Sequence, residues 1–430
     1  MKKVNNLILG AGISGLAAAQ CLYEKNQEFV IVEQNDYIGG LCASYNIDGF
    51  IFDYFVHFSF TANELVRGYF DVVPYNSHVP NPYNYYHGLW IKHPAQNNLF
   101  PLDEREKAEI LKGIKNRNKY SDVWSDNYEN WLRYQFGDYF AEHFSLAYTR
   151  KYWAEDAKNM ETSWIGNRIY QPSLDEIRYG MENSDTPVTF YAKEMRYPIS
   201  GGFNNFLKPI IHSESICLGE KVAKIDIINK IVYTNNEVYE YNNLFSSIPL
   251  PELLNICDSV NSDESLRQAI MDLHWTGGYI VSLGFKGINP REDLWDYVYD
   301  DDIFVSRYYS PSSMSCQSVP DGCYSLQAEI YTKDGTDSYD EDDLLNSVIN
   351  QLDRMGVVRK SELVVKDIRF VKYCNIVFDH KIYQNRNLII NYLSSNSVIP
   401  IGRFGEWEYY WSDQSFISGY LAAKNLLNCD

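Results

Sequence analysis

Three glycines, an acid and a second glycine pair stand at fixed intervals in the first forty residues, where they could hold a phosphorylated dinucleotide. Asn6-Leu-Ile-Leu-Gly10-Ala-Gly12-Ile-Ser14-Gly15 leads into Leu16-Ala-Ala-Ala-Gln-Cys-Leu22, and Phe29-Val-Ile-Val-Glu33 follows. An apolar strand ending in Gly-x-Gly-x-x-Gly, a small-residue helix and a second strand ending in an acid form the dinucleotide-binding fingerprint. Gly10 serves the tight turn, Gly12 the approach of backbone to a pyrophosphate, and Gly15 the contact of helix with strand. Unpaired N–H groups at the helix start, including Ser14, face the phosphates, and Glu33 can accept from a ribose hydroxyl. No serine, cysteine or lysine stands beside a base in a way that marks a protein nucleophile.

Charge sets a second condition. The chain of 430 residues carries a formal net charge of −19, which repels nucleic acid and anionic membranes. An anionic substrate would need a local pair of arginines to overcome that field. Its 36 tyrosines and 9 tryptophans offer aromatic faces with polar tips, suited to bases and sugars. No apolar run is long enough for a membrane span. The eight cysteines show no metal spacing and are expected to be reduced. We expect a cytoplasmic protein with no bound metal.

These residues need a scaffold, and the pattern predicts an α/β one: a Rossmann-like dinucleotide-binding domain with a helical insertion and a mixed or antiparallel β-sheet substrate domain. The dinucleotide-binding domain is assigned to 1–70, 195–260 and 395–430, the helical insertion to 100–185 and the β-sheet domain to 265–394. Residues 61–100 look loop-rich, with a Pro, Asn and Tyr cluster from Pro74 to Tyr86. Apolar residues spaced three and four apart predict one amphipathic helix over Asn130–Tyr148. Strand character is read at Val188–Tyr191, in a hairpin from Lys221 to Tyr233, and at Leu244–Leu250. Further strands are read at Tyr279–Phe285, Trp295–Tyr299, Ile303–Tyr308, Tyr324–Ile330 and Leu363–Val371. A helix carrying Leu344, Leu345, Val348, Ile349, Leu352 and Met355 closes at Gly356. The strand from Val398, the Gly402-Arg403 turn and the helix Phe416–Leu427 form a second helix-start site facing the first.

The spacing from Glu33 to Gly39-Gly40, with Gly49-Phe-Ile-Phe-Asp-Tyr-Phe-Val-His57 beyond, resembles the FAD-binding amine oxidase and UDP-galactopyranose mutase superfamily. Later segments resemble the mutases more closely. They are Pro94-Ala-Gln-Asn97-Asn98, Tyr148-x4-Trp153 with Arg168, Arg196-Tyr-Pro-x2-Gly-Gly202, and Gly402-Arg403-Phe-Gly-x-Trp-x-Tyr409-x3-Asp413. The resemblance implies FAD, active in its reduced form, and a pyranose–furanose isomerase acting on a UDP-hexose for cell-surface polysaccharide precursors. Reduced flavin N5 would attack the anomeric carbon and expel UDP; the sugar would open, reclose as a furanose and take UDP back. NAD(P)H or another reductant would charge the flavin.

By the same resemblance, Arg168 and Arg307 clamp the diphosphate together with Tyr373 and Tyr409. Tyr148, Trp153 and Asn97 contact substrate, and His57 lies on the loop under the flavin. Arg403 balances the reduced flavin, and Ser44, Val222, Gly402 and Asp413 join the cofactor-binding set. Two departures fall at the sugar end: Phe55-Val56 stands where mutases carry Gly-Gly, and Trp411 replaces an acid. They make a different UDP-hexose, N-acetylated or deoxygenated, an alternative substrate. The runner-up reading is an FAD-dependent oxidoreductase of the amine oxidase or protoporphyrinogen oxidase type.

Overall fold

The computed structural model describes residues 1–187, 189–190, 192–258 and 263–428. Strand β1 (Lys2–Leu9) runs into helix α1 (Ile13–Glu24) and returns as β2 (Phe29–Val32). Both strands are parallel, with Leu7 beside Val30 and Leu9 beside Val32. β1 also pairs in parallel with β3 (Val238–Ser246), which pairs in turn with Val398–Pro400. The hairpin Val222–Asp226 and Ile231–Thr234 closes one edge, and Ile216–Cys217 the other, giving seven strands. Leu7, Ile8, Leu9, Ile31, Leu244 and Phe245 are buried, as strands covered on both faces require.

The second sheet also has seven strands. Its spine is β4 (His274–Lys286) between β5 (Cys323–Lys333) and β6 (Leu363–Val377), all antiparallel. Along β5, Leu326, Ala328 and Ile330 face a core, whereas Ser325, Gln327 and Glu329 are equally buried on the other face. That polar face covers residues 53–57: Gln327 Nε2 donates to the Asp53 carbonyl at 2.9 Å, and Val56 N–H donates to Glu329 at 3.0 Å.

Helix α2 (Ser412–Asn428) lies against α1. A Cβ on Gly419 would stand 1.9 Å from the Ser14 carbonyl oxygen, so only glycine permits this packing.

Several elements differ from the sequence reading. The segment read as loop holds strands at Tyr75–His78, Tyr83–Tyr86 and Leu89–Lys92, the last two extending the second sheet. Asn84 hid the signal: it is fully buried and donates to the Ile91 carbonyl, so a polar residue occupies an inward position. The single helix over Asn130–Tyr148 is broken. Tyr128–Phe136 ends at Gly137 (φ 77°), which packs on Gly113, and the chain resumes through a π-helical turn into Ala147–Trp153. The strand read at Ile303–Tyr308 is confined to Arg307–Tyr309. Of the strand read at Val188–Tyr191, both end residues lie outside the described residues, and Thr189 and Phe190 are not in a strand. Helix Ile382–Ser395, placed by sequence in the β-sheet domain, packs beside Val398–Pro400 of the first sheet.

Among the described residues the seven cysteines are free, and no cluster of His, Cys, Asp or Glu is placed to hold a metal; Cys429 lies outside them. No described helix is long and apolar enough to cross a membrane.

Candidate functional site

A cavity of about 1550 Å³ runs from the carboxyl ends of β1 and β2 to the polar face of the second sheet. Drug-sized sites occupy ~300–1000 Å³, so this one has room for a dinucleotide and a second ligand. At one end lie Glu33, Glu220, Val222 and Asn235; Gly10, Gly12, Ser14, Gly39 and Gly40 form the middle. His57, Arg307, Arg403, Tyr152 and Tyr409 form the inner end.

The middle and outer parts fit an FAD. No atom lies within 4 Å of the place a Gly12 Cβ would take, so a side chain there would project into the cavity where phosphates must pass. α1 begins at Gly12 without a side-chain cap, which leaves its first N–H groups to a ligand. Gly15 has the packing role read from sequence: its Cβ would meet the Gly10 carbonyl oxygen at 2.0 Å. Glu33 is buried, accepting from Ala11 N–H at 2.8 Å and from Asn35 N–H at 2.9 Å, and this orients its carboxylate along the cavity wall.

At the inner end, Phe55 adopts φ 64°, a conformation that favours glycine and costs a bulky residue of order 1–3 kcal/mol. Glu329 holds the loop by accepting from Val56 N–H, and the Phe55 ring stacks on Tyr331 at 5.9 Å. Phe55 thus takes a glycine-like backbone without being glycine, while Val56 does not. His57 Nδ1 lies 3.2 Å from the Phe55 carbonyl, which can only accept, so this contact calls for the proton on Nδ1. Burial, reinforced by the nearby Arg307 and Arg403 charges, pushes the imidazole down to about 4, so it is neutral at physiological pH.

Three arginines gather here. Arg307 pairs with the fully buried Glu329 at 2.6 Å. Among the described residues Arg168 and Arg403 have no carboxylate partner. Both guanidiniums lie against the Tyr409 ring, 4.7 and 4.8 Å from its centre. Arg168 donates to the Tyr409 carbonyl at 2.7 Å, and Arg403 to the Tyr410 carbonyl at 2.9 Å. The Tyr409 and Tyr152 hydroxyls are 3.4 Å apart. Buried donors with no partner cluster here: Arg168 Nε, Arg403 Nε, Asn375 Nδ2 and the Tyr148 hydroxyl. Unmet donors beside uncompensated cations make this corner electropositive in an otherwise acidic protein.

Not every residue named from sequence faces this cavity. Tyr373 lines it, but its hydroxyl donates to Glu252 at 3.1 Å and its ring stacks on Trp275. The cause is a bulge: Lys372, Tyr373 and Cys374 together oppose Gly277, which turns the tyrosine away from the arginines. Trp153 is core, packed against Tyr152, Trp164 and Tyr409. Asn97 is buried beneath Gly180, its side chain near Thr189. Ser44 donates to Asp53, a carboxyl that burial raises to about 6, and does not reach the cavity. Asp413 sits in the first turn of α2, off the cavity wall. Gly402 instead allows the turn to pass Ser14, whose Oγ is 2.3 Å from where a Cβ would stand. Arg168 and Tyr148 stand behind the wall formed by Tyr409 and Tyr152.

Tyr152, Asn375 and Glu329 escaped the sequence reading. Tyr152 lies one helical turn beyond Tyr148, so the 3.6-residue period could have found it. Ser325, Gln327 and Glu329 alternate within an apolar strand, which is the pattern of a buried polar face.

Comparison with known proteins assigns the class first. Residues 8–72 match the NAD(P)-binding Rossmann-like domain. Sequence similarity to all-trans-retinol 13,14-reductase of Macaca fascicularis is 26% over 137 residues, spanning 30% of this chain and only 21% of that protein. The particular fold follows from solved structures. The crystal structure of a reduced UDP-galactopyranose mutase superposes with a TM-score of 0.92 at 23% identity, covering 99% of this chain and 96% of that one. A protein assigned as a protoporphyrinogen oxidase from Exiguobacterium sp. 255-15 gives 0.76 at 14% identity, covering 100% and 99%. The chain therefore has the mutase fold, built around a cavity that fits FAD.

Proposed function

We propose that this protein is a flavin-dependent isomerase interconverting pyranose and furanose forms of a UDP-hexose. The observation that carries the reading is the corner where Arg168 and Arg403 lie against Tyr409 without a carboxylate partner, at the inner end of the dinucleotide cavity. A diphosphate is the ligand such a corner suits, since guanidinium donors fit phosphate oxygens and tyrosine hydroxyls add neutral donors. FAD, bound reduced, would supply a nucleophilic N5 for the anomeric carbon.

The chain's own residues do the rest. Arg403 and Tyr409 hold the diphosphate and stabilise it as a leaving group, while Arg168, behind the wall, fixes Tyr409 through its carbonyl and ring. Arg403 and Arg307 set a positive field around the inner cavity. Phe55, Tyr331 and Tyr152 wall the sugar position and exclude water. The carbonyl of Phe55 is already engaged by His57 Nδ1, and its ring adds bulk where mutases carry glycine, so the sugar pocket is the place where specificity would differ from UDP-galactose.

The second reading, an FAD-dependent oxidase, draws on the aromatic wall formed by Phe55, Tyr331 and Tyr152. The arginines count against an amine oxidase, because they would repel an ammonium substrate. UDP binding separates the two. With FAD-loaded protein, UDP at a hundred times its Kd should stabilise the fold by about 2.7 kcal/mol, read as a rise in melting temperature. Arg403→Ala should remove most of that rise; an unchanged shift would remove Arg403 from the diphosphate site.

A further inference from the structure

Asn375 is 4% exposed and stands at the cavity wall on β6, at the edge of the bulge that turns Tyr373 aside. Its main chain is fixed by Asn375 N–H donating to Thr276 Oγ1 at 3.1 Å. Its amide orientation is fixed by chemistry. Arg403 Nη2 lies 2.9 Å from one amide atom, and a guanidinium can only donate, so that atom is the oxygen Oδ1. Tyr152 adds its hydroxyl to the same oxygen at 3.3 Å. The remaining atom, Nδ2, is a buried amide donor without a partner. Burying such a group unpaired is unfavourable, because its hydration is lost with nothing in exchange. Arg403 Nε, on the side chain that orients this amide, is also buried and unpartnered. Two unmet donors, coupled through one hydrogen bond and flanked by the Tyr152 and Tyr409 hydroxyls, call for an acceptor-rich, negatively charged group.

We infer that Asn375 is a ligand-binding residue whose Nδ2 donates to a phosphate oxygen of the nucleotide diphosphate bound at the Arg403–Tyr409 corner. The inference rests on the nucleotide-sugar reading above and adds a residue that neither glycine fingerprint nor arginine spacing marks. Asn375 then links two jobs. Its oxygen positions Arg403 and Tyr152, and its nitrogen senses whether the anion is in place.

The test is UDP binding by FAD-loaded Asn375→Asp, measured by calorimetry beside the wild-type holoprotein. The aspartate has the same shape and still accepts from Arg403 and Tyr152, but it offers the ligand an anionic oxygen in place of a donor. UDP affinity should fall roughly a hundredfold, the scale of a charge-assisted hydrogen bond replaced by repulsion. If the aspartate variant does not retain FAD, Asn375→Ala replaces it, with an expected loss of about tenfold. Equal UDP affinity in wild type and a flavin-loaded variant overturns the role of Asn375. Failure of the wild-type holoprotein to bind UDP instead overturns the nucleotide-sugar reading, and the inference falls with it.

Discussion

Replacing Arg307 with alanine should lower the unfolding free energy by roughly 3–5 kcal/mol, the range for breaking a buried ion pair from one side. Arg307 meets Glu329 twice, through Nη2 at 2.6 Å and Nε at 2.8 Å, and Glu329 is fully buried. Without the arginine, that carboxylate keeps only the Val56 N–H and the Tyr331 hydroxyl. Glu329 also holds the loop that keeps Phe55 at φ 64°, so the strain there would lose its restraint. Turnover should fall as well, by about 100-fold or more, because a preorganised positive charge leaves the inner cavity. Denaturant unfolding of Arg307→Ala and of the double variant Arg307→Ala/Glu329→Gln checks the cause. The double variant should recover part of the loss, since its remaining group is neutral. A single variant as stable as wild type would show that the pair does not hold this loop.

Gly15→Val should give a protein purified without FAD and destabilised by roughly 3 kcal/mol, a large overpacking effect. The first carbon of any side chain would stand 2.0 Å from the Gly10 carbonyl oxygen and 3.3 Å from Ile8. The obstacle is backbone, which cannot rotate away as a side chain can. The turn must open, carrying with it the N-terminus of α1 that faces the cavity. Absorbance of the purified variant near the flavin bands measures the result. Normal FAD content would mean that the turn tolerates opening and that the first glycine cluster is not what seats the cofactor.

The nucleotide end was legible in the sequence because its signals are local. Gly10, Gly12, Gly15 and Glu33 lie within one βαβ unit, and each acts on atoms close to it in the chain. The inner end depends on long-range geometry. Tyr373 was named by resemblance to a diphosphate-binding tyrosine, yet a bulge opposite Gly277 sends its hydroxyl to Glu252. Register shifts of that kind leave no mark in residue spacing. Trp153 and Asn97 matched their motifs in type, but burial assigns them to packing. Arg168 was found by spacing, while its contact with the Tyr409 carbonyl, 241 positions away, depends on how insertion and C-terminal segment meet. The break at Gly137 was hidden because helical periodicity continues on both sides of it.

Phe55 shows the same division between local type and tertiary restraint. A phenylalanine stands where the resemblance implies glycine, and the structure gives it a glycine-like backbone all the same, held by Glu329 and Tyr331. On the proposed reading, the effect of the substitution then lies in the ring's volume, which is packed on Tyr331.

The central claim is that the cavity brings a UDP-hexose and reduced FAD together for ring contraction. Anaerobic incubation of the reduced holoprotein with UDP-galactopyranose and a small panel of other UDP-hexopyranoses, followed by chromatographic separation of pyranose and furanose forms, measures it directly. The account predicts a UDP-hexofuranose from at least one of these sugars with reduced protein and none with oxidised protein. No furanose from any of them, with rapid oxygen consumption when the oxidised protein meets an amine, would contradict it.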